Sequence, residues 1–254
     1  MLIDFDIAPA GIASRDQVDR LNAVYERLTA RLVDEIKLRE PGSTFRVSNL
    51  IRVYLQSHLR RMLQLTEAAF SEFFDGRGIV AIMCARGIYE GLATVTDFEK
   101  ELKGLLEVGD LNAIFQFTKE RANATRIASW IQKVGNPNVT AKNVLTMVGK
   151  LKSIRARIPD EYDFLSEIAH PNGVGAVGFF ADMSNAADDV ARFSDSGPDP
   201  RADLQWIFCC LLLPRPVRGR DGPDRSRAAS AQCAGCCTST IFRQQSEWVI
   251  RQWR

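Results

Sequence analysis

Between Arg15 and Lys37 the apolar residues Val18, Leu21, Val24, Tyr25, Leu28, Leu32 and Ile36 recur at three- and four-residue steps, the period of a helix with one buried face. Ser14 or Asp16 supplies an N-cap, and Pro41-Gly42-Ser43 ends the segment. The same period returns from Val47 through Phe73 and predicts a second, long helix closing near Gly76. A third is expected from about Ile79 to Glu107. Its first turns, Ile79 to Ala85, are almost purely apolar, as in a buried central helix, and it becomes amphipathic after Thr96. Leu111 to Val134 reads as a fourth helix, stopped by Gly135-Asn136-Pro137-Asn138, and Thr140 as the cap of a fifth that runs through Arg157. A short helix follows Pro159 and ends at Pro171-Asn172-Gly173. There Pro171 disfavours αR geometry at His170, and Asn172-Gly173 tolerate positive φ.

After His170 the pattern changes. Gly173, Gly175 and Gly178 interrupt Val174, Val177, Phe179 and Phe180, which suits a loop or a small hairpin better than a helix. Ser194 to Pro200 reads as a linker, and Asp203 to Leu213 as one more core helix, cut off by Pro214-Arg215-Pro216. The expected fold is therefore all-α. A single bundle of five or six helices occupies residues 1–196, with an irregular Gly-rich loop or small hairpin after His170. A last core helix falls within 197–213, and a disordered or aberrant tail covers 214–254.

The tail differs in composition from everything before it. Every lysine lies at or before Lys152, and five of the six cysteines (Cys209, Cys210, Cys233, Cys236, Cys237) fall in the last fifty residues. A shifted reading frame accounts for both observations, and would mean that a final helix is missing and apolar surface is left open. Cys233, Cys236 and Cys237 have a zinc-knuckle-like spacing that Cys209-Cys210 would complete, but no histidine accompanies them and no metal site is expected.

At 254 residues and 46% apolar content the chain can fill a core without staples, and its net charge of +2 is neither that of a strongly basic nucleic-acid binder nor that of an acidic disordered chain. The basic excess sits in the tail, where residues 197–254 carry nine arginines against five acidic residues. Acidic residues in Met1-Leu2-Ile3-Asp4-Phe5-Asp6 argue against a secretory signal. The longest apolar run, Trp206 to Leu213, is eight residues where a bilayer span needs roughly 20. A cytoplasmic protein with no membrane partner is expected. No phosphate-binding glycine loop, nucleophile elbow, dinucleotide fingerprint or paired-histidine motif is present, so no cofactor is expected either.

The candidate chemistry lies in two places. Tyr162, Ser166 and His170 share one helical face at i, i+4 and i+8, with His170 at the helix C-terminus, where the helix dipole favours imidazolium. That face is either an acid–base or phosphate-gripping site, or a polar seam satisfied against another helix. Arg86 and Glu90 lie one turn apart in the apolar third helix. They form either a buried ion pair that sets helix register, or a guanidinium that faces the histidine cluster and binds phosphate.

Arg86-x-Ile88-Tyr89-Glu90 on a buried helix, followed by Tyr162, Leu165-Ser166 and His170-Pro171-Asn172, resembles a bacterial family of uncharacterised helical domains distantly grouped with HEPN-like bundles, over about residues 45–180. The resemblance implies an all-α bundle, often a homodimer, and many HEPN members are metal-independent ribonucleases of toxin–antitoxin or anti-phage systems. Their pattern places an arginine four to six residues before the histidine. Here the nearest arginine before His170 is Arg157, whereas Arg52 and His58 have that spacing, with Val53 where those enzymes tend to carry a polar residue.

Two functions follow. In the first the protein acts on RNA, as a metal-independent ribonuclease or as a binder. His170 is then the acid–base, Arg86 the phosphate ligand, Tyr162 and Ser166 position the substrate, and Glu90 and Asn172 assist binding; these groups must converge. In the second the chain is a non-catalytic interaction or dimerisation module, or an inactive relic, in which the same residues form an enclosed network.

Overall fold

The computed structural model describes residues 2–4, 14–38, 46–182 and 191–194. The expected 197–213 helix and 214–254 tail, with their cysteines, lie outside the described residues, as does residue 183–190 of the segment after His170. The fold is all-α, as expected. Its helices of seven or more residues, among the described residues, are α1 (Arg15–Thr29), α2 (Arg46–Phe74), α3 (Gly78–Val108), α4 (Leu111–Ala122), α5 (Ala128–Val134), α6 (Val144–Lys150) and α7 (Ile158–Ala169).

Helix α1 starts on a capping box, in which Ser14 accepts from the Gln17 amide and Gln17 returns a bond to the Ser14 amide. It ends at Thr29, well before the expected Lys37. The backbone beyond it is claimed by α2 instead: buried Gln56 accepts from the Val33 amide at 3.2 Å and donates to the Arg31 carbonyl at 2.9 Å, and Arg60 donates to the Val33 carbonyl at 2.6 Å. Those bonds satisfy backbone groups that a longer helix would have paired internally. On the other side of α1, Asn22 pins the N-terminal segment by accepting from the Leu2 and Ile3 amides at 3.0 and 2.9 Å.

The central pair is α2 and α3. Their backbones come close because Gly91 faces α2: a Cβ there would sit 2.9 Å from Met62 Cγ. Around them lies a core of Phe70, Ala85, Ile88, Tyr89, Leu151, Ile158, Tyr162 and Leu165, contributed by α2, α3, α7 and the turn after α6. Tyr54, Phe98 and Ile114 join α2, α3 and α4 in a second cluster. Among the described residues one helix, α3, is long and apolar enough to cross a membrane, and 61% of its most apolar stretch is buried in the bundle. Packing on both sides accounts for its composition.

The expected fourth helix is broken. Helix α4, capped by Asp110, stops at Ala122, and Thr125 pairs instead with the 139–141 segment through Thr125 N to Val139 O at 2.8 Å and Ala141 N to Thr125 O at 2.9 Å. No glycine or proline marks that break, because a tertiary pairing makes it. The expected fifth helix shortens to α6, capped by Asn143 rather than Thr140. Helix α7 stops where Pro171 requires it, with His170 extended at φ −83°, ψ 142°. A wide helical turn (Gly173–Val177) follows, and then the small hairpin, β1 (Ala181–Asp182) antiparallel to β2 (Arg192–Phe193). A Cβ at Gly175 would collide with the His170 carbonyl, so the glycine-rich composition there permits a close approach.

Candidate functional site

Helices α3 and α7 are joined by two reciprocal bonds. Tyr89-Glu90 of α3 faces Glu161-Tyr162 of α7, so that Tyr89 OH donates to Glu161 at 2.5 Å while Tyr162 OH donates to Glu90 at 2.9 Å. An arginine completes each half. Arg155 pairs with Glu161 and donates to Tyr89 OH at 3.1 Å; Arg86 lies 3.3 Å from Glu90, with its guanidinium 5.6 Å from the Tyr162 ring centre. The halves differ in burial. Tyr89 and Glu161 are almost wholly enclosed, whereas Arg86 and Glu90 are more than a quarter exposed.

The structure thus brings Arg86, Glu90 and Tyr162 together, and leaves Ser166, His170 and Asn172 out of that set. Ser166 Oγ is buried with no hydrogen-bond partner among the described residues. His170 is exposed at the helix end, and no hydrogen bond to its ring is formed among the described residues. Asn172 caps the following turn through the Gly175 amide at 2.9 Å and donates to Glu167 at 2.5 Å. The bonds that hold Arg86 are those of a register lock, with the guanidinium already neutralised by Glu90.

A second polar assembly was not legible as a motif. Asp97, on α3, is buried among Lys142 at 2.8 Å, Lys150 at 2.6 Å and Arg121 at 3.7 Å, and Glu101 shares Lys142 and Arg121. Burial alone would push both carboxyls up, but the hydrogen bonds and charges of those cations outweigh it and hold them below their ordinary values. Beside this hub lies a cavity of about 290 Å³, bounded by α2, α3, the end of α4 and the start of α6. Its walls include Tyr54, His58, Arg61, Glu90, Arg121 and Lys142.

His58 therefore lines a cavity, while Arg52, its partner in the expected spacing, does not. Burial, reinforced by Arg61, lowers the imidazole pKa to about 4, and Nδ1 has no partner among the described residues. A histidine whose folded pKa lies below its unfolded value contributes stability that is complete above about pH 6.5 and is lost as pH falls toward 4, where the unfolded chain binds the extra proton. Between pH 7 and 4.5 that loss amounts to roughly 2 kcal/mol. Urea unfolding at the two pH values is expected to show a drop larger by that amount in the parent than in His58→Gln; equal drops would mean that His58 titrates normally.

The charge pattern missed in the sequence runs from Lys119 to Arg157, which holds nine lysines and arginines and a single acidic residue, Glu120. Whole-chain balance hid it. Lys142, Lys150, Arg121 and Arg155 are engaged by Asp97, Glu101 and Glu161. Lys119, Arg126, Lys133, Lys152 and Arg157 are exposed, and none pairs with a carboxylate among the described residues. Within this stretch α5 buries none of its residues, and Trp130 is 63% exposed. Among the described residues no group of three or more histidine, cysteine or acidic side chains is placed to hold a metal ion.

A scan against family models, a search of curated proteins and a search of solved structures each find no match to this chain.

Proposed function

We propose that the protein binds single-stranded RNA through the basic layer of residues 119–157, as a binder rather than a nuclease. The observation that carries this reading is the run of exposed, carboxylate-free cations in one stretch of chain that also bears an exposed tryptophan. Trp130 and Lys133 are three residues apart on α5 and share one side, and Arg126 lies in the non-helical backbone just before the helix. An aromatic face beside cations is the combination that stacks a base while neutralising its phosphates. A duplex-reading helix would need side chains aimed into a groove, which one turn of exposed tryptophan does not provide.

The acid–base reading at α7 has less support. Arg86 is held by Glu90 and Tyr162, and no bond links His170 to either. The HEPN-like resemblance is compatible with a binder and supplies the RNA class.

The test is fluorescence anisotropy with a labelled single-stranded RNA at several salt concentrations. Affinity is expected to fall with salt at a log–log slope of roughly −2 to −3.5, as for three to five phosphate contacts. Trp130→Ala is expected to cost about 1–3 kcal/mol of binding, and Lys133→Gln to make the slope shallower. Salt-independent binding, or a Trp130→Ala change in oligomeric state without a change in RNA affinity, would overturn the reading in favour of a self-association face. RNA incubated with the protein in EDTA is expected to stay intact, and cutting abolished by His170→Ala would restore the catalytic role.

A further inference from the structure

We propose that the cavity between α2, α3, α4 and α6 is a binding site for a phosphomonoester dianion carried on a ligand of about mononucleotide size. No residue of α5 lines it, although Arg121 and Lys142 belong to the same basic stretch, and the proposal stands whether or not polymeric RNA binds at Trp130. Its volume, about 290 Å³, is at the small end of the range for small-molecule sites.

Three cations reach it from three different elements: Arg61 from α2, Arg121 from the last turn of α4, and Lys142 from the segment before α6. The lining has one carboxylate, Glu90, which is already neutralised by Arg86 at 3.3 Å and accepts from Tyr162 at 2.9 Å. Arg121 and Lys142 are oriented by Asp97 and Glu101 without exhausting their donors. A guanidinium has five N–H groups and an ammonium three, and each retains donors after those contacts. Arg61 has no ion pair and no hydrogen bond among the described residues. It is the free charge of the site.

The ligand class follows from the charge count. A phosphodiester presents one negative charge; a phosphomonoester presents nearly two, on three terminal oxygens suited to bidentate arginine. Arg61, Arg121, Lys142 and the adjoining Lys150 stand against Asp97 and Glu101, with Glu90 cancelled by Arg86, and the two net positive charges left match the dianion better. His58 adds an uncharged imidazole to the same wall and can bond the ligand without adding a fourth positive charge.

The experiment is calorimetric titration of the full chain at pH 7.5 with adenosine monophosphate, adenosine, and a short RNA with either a 5′-phosphate or a 5′-hydroxyl. Binding of the phosphorylated member of each pair and not of its hydroxyl counterpart is the expected result. Arg61→Gln, which removes no hydrogen bond or ion pair within the described residues, is expected to weaken it roughly tenfold or more. Trp130→Ala is expected to leave it unchanged, which separates this site from the α5 surface. Equal affinity for the nucleotide and the phosphorylated RNA would identify a free nucleotide as the occupant; tighter binding of the RNA would identify its phosphorylated end. Adenosine binding as well as its monophosphate, no heat from either phosphorylated probe, or affinity unchanged in both Arg61→Gln and a normally folded Lys142→Gln would overturn the proposal.

Discussion

Glu161→Ala is expected to destabilise the protein by about 3–5 kcal/mol, the range measured when one partner of a buried ion pair is removed. Glu161 is 2% exposed, and it is the acceptor for both Tyr89 and Arg155. Without it an arginine whose side chain is 11% exposed keeps its charge in the core, and a wholly buried phenol loses the carboxylate that orients it. The cost comes from desolvated groups left without a counterpart, not from the net strength of the pair. Glu161→Gln should fall between, because the amide still accepts from Tyr89 while the charge on Arg155 goes unanswered. Tyr89→Phe, which removes one hydroxyl, should cost about 1–2 kcal/mol. The other half of the clasp offers a control on the same two helices. Glu90→Ala is expected to cost about 1–2 kcal/mol, since Arg86 and Glu90 are both reached by water and the main loss is the acceptor of the buried Tyr162 hydroxyl. Urea denaturation midpoints at unchanged slope measure the series. A Glu161→Ala cost below 1 kcal/mol would mean that apolar packing alone holds α7 on α3.

The α3–α7 clasp shows how far side-chain periodicity reaches. Arg86 and Glu90 stood out because charges in an apolar helix need partners, and Tyr162 because it shared a polar face; the structure joins all three. In the better buried half, Glu161 did not stand out, and Tyr89 entered only through the motif that carries the resemblance, with no role of its own. A tyrosine at a core position and an acid in a first helical turn each have an ordinary local explanation, and only the pairing of two helices 72 residues apart makes them a unit. Local signals also placed the stop at His170, where Pro171 acts on its immediate neighbour, and the stop at Gly135 after α5, where φ is +68°. They failed at residues 30–37 and 123–127. There the helical pattern continues in sequence, but Gln56, Arg60 and the 139–141 segment take the backbone groups. The basic layer was concealed for a different reason. Nine cations within 119–157 are offset by acids elsewhere in the chain, so the net charge of +2 said nothing of their placement.

Asp97→Asn is the second large effect expected, roughly 3 kcal/mol, and it should be felt first in α6. Asp97 reaches Lys142 and Lys150, which flank that helix at its two ends. A helix of seven residues cannot persist on its own hydrogen bonds, and α6 buries only Met147 and Val148 fully. One carboxylate on α3 therefore supplies much of what fixes both ends of α6. Neutralising it leaves Lys142 and Arg121 to Glu101 alone and Lys150 with no carboxylate. Because Lys150 is about half exposed, part of that loss is recovered by water, which places the estimate at the low end for buried pairs. Amide hydrogen exchange is the sharper reading: protection at Met147 to Lys150 should fall in Asp97→Asn more than protection in the α2–α3 core. The pH dependence carries the matching sign. Asp97 and Glu101 have folded pKa values below their unfolded ones of 3.8 and 4.5, so their contribution is present above those values and is lost as the pH falls through the lowered ones. His58 has already withdrawn its share between about pH 6.5 and 4, so acid unfolding of the parent should proceed in two ranges. In Asp97→Asn the lower range should shrink while the upper remains, because His58 takes its depressed value from burial and Arg61 rather than from Asp97. Uniform loss of exchange protection across all helices, with α6 no different from α3, would show that the carboxylate stabilises the bundle globally and that α6 is held by packing.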